Sequence, residues 1–116
     1  MAAPSGLQHV LVGPGDQRVV VVEVGGGLRE YTVAGRPVID GYAESEACSS
    51  GRGQVLAPWA NRLADGRFEW QGQALQVPLT EPEHHNAIHG LVRWAAWSTH
   101  EAATDSVLLV HRLHPQ

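Results

Sequence analysis

The apolar positions along the chain follow strand periods rather than a helical one. Residues 7–13, LQHVLVG, form a short apolar run that ends at GPGD, a turn composition. QRVVVVEVGGG (17–27) follows; its β-branched density favours a strand, and three glycines stop it. LREYTVAG (28–35) alternates apolar and polar residues, the period of a half-buried strand. Three strands joined by glycine-rich turns predict an antiparallel meander. Residues 40–53 are small and polar and predict a flexible loop. FEWQGQALQV (68–77) predicts a hairpin, with glycine supplying a positive φ at Gln71-Gly72. TEPEHHNAIHG (80–90) is polar and interrupted by Pro82, which predicts irregular chain. Residues 94–102 and 106–113 read as two more strands around Thr104-Asp105. No amphipathic helix, internal repeat or linker is visible. Seven or eight short strands place the chain in the all-β class, as a sandwich or barrel.

Composition narrows the setting. A chain of 116 residues allows one small domain at most. With 43% hydrophobic and 17% charged residues it is globular in character. A net charge of -4 argues against a nucleic-acid partner, which would want a basic face. There is no lysine, so every strong positive charge is an arginine. No apolar run approaches the roughly 20 residues a membrane helix needs. The N-terminal MAAPSGLQHV lacks the charged start and apolar stretch of a secretory signal. The single cysteine, Cys48, cannot form an internal disulfide. These features together predict a cytoplasmic protein with no membrane partner. Cys48 has no basic neighbour in sequence nearer than Arg52, and no nucleophilic role is assigned to it.

Two segments carry candidate chemistry: residues 56–78, LAPWANRLADGRFEWQGQALQVP, and residues 84–97, HHNAIHGLVRWAAW. In the first, Asn61-Arg62 precedes a glycine-closed hairpin. The guanidinium of Arg62 has five donors in a planar fork, suited to vicinal hydroxyls or a carboxylate. Asn61 both donates and accepts, as a hydroxyl does. Pro58 and Trp59 would stiffen the approach and add an apolar wall. Residues of these types serve more often in a structural salt bridge and a turn, and that reading stands beside the first. In the second segment, adjacent His84 and His85 point apart in extended chain and have no Cys or Asp nearby to complete a metal set. They read as exposed loop residues. His89, between Ile88 and Gly90, is the histidine placed to be held in a fixed pose. Of the four tryptophans, Trp70, Trp94 and Trp97 read as core; Trp59 fits either the core or a surface on which a sugar stacks. Gly25-Gly26-Gly27 lacks the Lys-Ser/Thr and the helix of a phosphate loop and reads as a turn.

In order and spacing these segments resemble the aldose 1-epimerase (galactose mutarotase) family. The resemblance rests on Ala60-Asn61-Arg62, Asp65-Gly66-Arg67-Phe68, the hairpin from Gly72 to Leu79, and Asn86-Ala87-Ile88-His89-Gly90 with Trp97. It covers about residues 55–113, and residues 7–40 fit the family's opening loosely. Pro58-Trp59 replaces the Gly-Arg of many galactose mutarotases. The resemblance implies part of a mutarotase β-supersandwich, an antiparallel fold of which residues 1–116 would be the N-terminal portion. It also implies anomer interconversion of a free aldose monosaccharide, with no cofactor and no metal. Asn61, Arg62 and His89 match positions that contact the sugar. The family's acid is a histidine in a His-x-Tyr/Phe stretch and its base a late glutamate. Neither has a counterpart here, so no catalytic residue is assigned, and the chain is expected to be truncated and weakly active or inactive alone. His111 and His114 are not substitutes, His111 being expected inside the strand at 106–113. The alternative is a non-catalytic carbohydrate-binding β-domain. A phosphosugar epimerase would want extra arginines, for which Arg52, Arg67 and Arg93 are available.

Overall fold

A computed structural model of the chain describes residues 2–115. Its first part is a four-stranded antiparallel sheet in the order β1-β2-β3-β4, formed by Gln8–Gly13, Gln17–Val22, Leu28–Val33 and Arg36–Pro37. This is the expected meander, extended by β4, which was not anticipated. Ala34 and Gly35 both have positive φ and turn the chain tightly from Val33 to Arg36.

β2 is the central strand and its sequence shows why. Val20, Val21 and Val22 are all buried, so this end of the strand is covered on both faces. A continuous valine run suits that position better than an alternating one would. Val20 and Val22 are the largest fully buried side chains among the described residues. Val20→Ala is therefore expected to cost about 2 kcal/mol, read as a shift in the denaturant midpoint. The β2–β3 ladder shifts register between Val20 and Val21, leaving Arg29 unpaired in the count. The bulge coincides with a re-aimed side chain: Arg29 donates from Nε to Gln8 Oε1 at 2.7 Å and from Nη1 to the Tyr42 carbonyl at 2.8 Å.

The glycine triplet at 25–27 is a junction as well as a turn. Gly25 N donates to the Ala95 carbonyl at 2.9 Å, and Leu28 N donates to the Gly53 carbonyl at 2.9 Å. A side chain at Gly26 would meet the Trp97 ring at 2.8 Å, and one at Gly27 the Gly53 carbonyl oxygen at 2.6 Å. Close approach of two other segments is what selects glycine here.

The remaining strands form two-stranded pairs: β5 (Arg62–Ala64) with β8 (Asn86–Ile88), β6 (Arg67–Trp70) with β7 (Gln73–Gln76), and β9 (Ser98–Ala102) with β10 (Val107–Val110). The described residues are all-β and antiparallel, with one 3-10 turn among them at Pro82–His84. Gln71 and Gly72, both at positive φ, close β6–β7 as expected. Four details differ from the sequence reading. Residues 80–90 are not wholly irregular, because β8 gains its ladder from β5. Residues 94–97 precede β9 rather than belong to it, and His111 follows β10. The segment 40–53 is irregular but packed: Tyr42 and Cys48 are buried, and the Cys48 thiol faces the Arg52 carbonyl at 3.1 Å. Trp70 and Trp94 are 64% and 55% exposed, so they are not core. Every position of β6 and β7 is exposed, so among the described residues no layer covers the hairpin holding Trp70. Trp94 instead lies under the Arg93 guanidinium, 5.1 Å from the ring centroid. Trp97 is half-buried and its Nε1 donates to the Val92 carbonyl at 3.1 Å.

Candidate functional site

Asn61, Arg62 and His89 are brought together at one end of the β5–β8 ladder. The pairing runs Ala64↔Asn86, Leu63↔Ala87, Arg62↔Ile88, so the next step outward sets Asn61 against His89. At that step the regular ladder ends. His89 N donates to the Asn61 carbonyl at 2.9 Å. The return bond goes to a side chain: Asn61 N donates to His89 Nδ1 at 3.0 Å. The imidazole thus takes the acceptor position a backbone carbonyl would hold.

Both residues are in the left-handed region, Asn61 at φ 66° and His89 at φ 62°. Asparagine and histidine tolerate this better than most residues, but it costs about 1–2 kcal/mol each. Two facing residues held so, and bonded to each other, fix where both side chains go.

The bond also sets the histidine's chemistry. Nδ1 must be unprotonated to accept from Asn61 N–H, which puts the ring proton on Nε2. Nε2 has no hydrogen-bond partner among the described residues, so it is a donor available to a ligand. His89 therefore presents Nε2 as a hydrogen-bond donor.

Arg62 is held by a residue the sequence reading did not single out. Its Nε donates to Glu81 Oε1 at 2.7 Å and its Nη2 to Glu81 Oε2 at 3.2 Å. This is the bidentate fork for which arginine geometry is suited. Glu81 stands just before the 3-10 turn, in an isolated bridge with Asn86, and beside it Thr80 Oγ1 accepts from Ile88 N at 2.8 Å. The signal for Glu81 was hidden, since an acid before a proline in a polar stretch looks like any loop residue. Hydrogen bonds from Arg62 lower the Glu81 pKa, and the charges of Arg62 and His84 and a bond from Asn86 add to this. The same hydrogen bond raises the pKa of Arg62.

The sign of the pH effect follows from the lowered carboxyl. The pair's stabilisation is present above the ordinary glutamate pKa of about 4.3 and is lost as pH falls through the depressed value. In denaturant titrations, the stability advantage of the wild type over Glu81→Gln is thus expected to shrink from about pH 6 to about pH 3. An advantage that grew on acidification would contradict the pairing.

Trp59 is half-buried, and its Nε1 is buried with no partner. After His89 the chain doubles back onto 57–58, where Leu91 N donates to the Ala57 carbonyl at 2.7 Å. Gly51 flanks the histidine: a side chain there would lie 3.8 Å from His89 Nε2. The other histidines of the motif lie elsewhere. His84 and His85 are exposed, and His85 Nδ1 stands a loose 3.9 Å from Asp65. The His111 ring lies 5.7 Å from that of Trp97. Of the arginines available for a phosphate, Arg52 is engaged with Asp40 at 3.0 Å and Arg67 lies exposed on β6. Among the described residues no three His, Cys, Asp or Glu side chains gather as metal ligands. No helix there is long and apolar enough to cross a membrane.

The sequence model of one family, described as aldose 1-epimerase, matches residues 8–116. The chain belongs to the aldose 1-epimerase family. The match begins at Gln8, so it takes in the opening strands as well as the two motif segments. An uncharacterized protein of Escherichia coli K12, YihR, is 38% identical over 108 residues, which are 93% of this chain and 35% of YihR. A crystal structure of a provisionally assigned aldose 1-epimerase of Escherichia coli K12 superposes with a TM-score of 0.75 at 24% identity. It aligns with 94% of this chain and 37% of its own, and this likeness shows the fold. The chain spans a little over a third of the length of these family relatives.

Proposed function

We propose that Asn61, Arg62 and His89 form the sugar-orienting side of an aldose 1-epimerase site, with a free aldose as substrate. The observation that carries this reading is the reciprocal Asn61–His89 pair. It holds an Nε2–H donor one step beyond the Arg62↔Ile88 pair, at the end of a two-stranded ladder. Sugars present closely spaced hydroxyl and ring oxygens, and fixed donors suit them. In this family's reaction a base removes the proton of the anomeric hydroxyl and an acid protonates the ring oxygen. The C1–O5 bond opens, the aldehyde end rotates, and the ring closes on the other face. His89 would donate to a sugar oxygen, Arg62 would grip a hydroxyl through N–H groups that Glu81 leaves unused, and Trp59 would close one wall. These three residues supply orientation, while the proton transfers call for the acid histidine and base glutamate of the family pattern. The reading needs neither metal nor redox cofactor.

Polarimetry on freshly dissolved α-D-galactose and α-D-glucose tests the division of labour. The 116-residue chain is expected to raise the rate of mutarotation little above that of buffer. Acceleration on the scale of an efficient enzyme, about 10⁶-fold or more, would sink the assignment of orientation alone.

A further inference from the structure

Resting on that reading of the site, we infer that Glu81 is a positioning residue: it presets the Arg62 fork for the sugar through the two-point pair Arg62 Nε–Glu81 Oε1 and Arg62 Nη2–Glu81 Oε2.

The geometry supports a one-sided grip. A guanidinium has five N–H donors, and the two Glu81 bonds use the Nε edge and one hydrogen of Nη2. Both hydrogens of Nη1 and the second of Nη2 remain, all on the side away from the carboxylate. The remaining donors therefore point in a direction that Glu81 dictates. The two partners differ in exposure: the Arg62 side chain is 52% exposed and that of Glu81 20%. Arg62 alone would be a long, mobile side chain at a surface, while Glu81 is the better anchored member.

The anchor is set by the backbone. Glu81 N donates to the Asn86 carbonyl at 2.9 Å, and Asn86 N donates back to the Glu81 carbonyl at 3.2 Å. Asn86 in turn pairs with Ala64 in the same ladder that pairs Arg62 with Ile88. Glu81 and Arg62 thus hang from one frame, and the frame that places Asn61 against His89 also places the carboxylate. The charged groups acting on Glu81 are Arg62 and, more weakly, His84, and of the two it is Arg62 that forms the ion pair with the carboxylate. A long cationic side chain fixed before the ligand arrives loses less rotamer freedom on binding, and affinity rises accordingly.

The test uses the chain itself, uniformly ¹⁵N-labelled, with D-galactose and D-glucose as probes. Affinities come from chemical-shift titration, and the order of Arg62 comes from the heteronuclear NOE of its Nε–Hε signal. In the wild type that signal should report an ordered side chain before any sugar is added. Glu81→Gln keeps the shape but removes one acceptor oxygen and presents an amide to the guanidinium. It should release the Arg62 signal and weaken sugar binding by about fivefold, with only a small loss in thermal midpoint at neutral pH, the size of a surface ion pair. Glu81→Asp keeps the carboxylate and should recover part of both losses. Undiminished affinity in Glu81→Gln overturns the positioning role while leaving the sugar site intact. Absence of any binding by the wild type overturns the sugar site and the positioning role together.

Discussion

Gly90→Ala is expected to destabilise the chain by about 3 kcal/mol or more, a loss of more than about 10 °C in thermal midpoint. Two causes combine. Gly90 has φ 74°, a region that L side chains rarely adopt. A Cβ there would overlap the Ala57 carbonyl and lie 2.9 Å from the Ala57 nitrogen. That carbonyl cannot move aside cheaply, because it accepts from Leu91 N. Gly72→Ala is the control that separates the causes. Gly72 has φ 76°, yet nothing lies within 4 Å of a side chain placed there. Its substitution should cost about 1 kcal/mol, the conformational strain alone. Equal losses in the two variants would show that the approach of the 57–58 segment to Gly90 is not tight. The consequence reaches the site, since Gly90 follows His89 directly and its turn holds the Asn61–His89 pair in place.

Arg62→Ala is expected to lower sugar affinity at least about tenfold while leaving the fold intact. A hydrogen bond from a charged donor to a ligand is worth about 1.5–3 kcal/mol, which is a factor of ten or more for one such bond. Arg62 is exposed and its ion pair with Glu81 is at the surface, so stability should change little. His89→Ala should reduce affinity to a similar degree, because it removes the Nε2–H donor and the acceptor for Asn61 N–H together. Chemical-shift titration with D-galactose measures both. An Arg62→Ala chain that binds as the wild type does would remove the guanidinium from the site.

The opening meander was legible because its signals are local. A valine run, an alternating strand and glycine turns at 13–16 and 25–27 each act over a few residues. β4, β5 and β8 were not legible, having two or three residues each and little propensity of their own. Asn86-Ala87-Ile88 becomes a strand only because Arg62–Ala64 lies beside it, and that partnership spans more than twenty residues. Trp70 was misread for a related reason. Strand pattern tells which side chains share a face, but it does not tell whether another layer covers that face, and among the described residues none covers β6–β7. At the site, Asn61, Arg62 and His89 were picked out by their resemblance to a family pattern, and their meeting at one ladder end is a result of the fold. Of the two readings of Arg62 and Asn61, the commoner one is visible in the structure: Arg62 is in an ion pair and Asn61 is at positive φ. These roles do not exclude a ligand, since the pair aims the fork and the turn fixes the histidine.

The most direct measurement is a ¹H–¹⁵N titration of the wild-type chain with D-galactose, followed residue by residue. The expected result is weak, saturable binding, on the order of millimolar, with the largest shifts at the amides of Asn61 and His89 and at Arg62 Nε. Shifts that never saturate, or that cluster away from the β5–β8 ladder end, would contradict a sugar site built from these three residues.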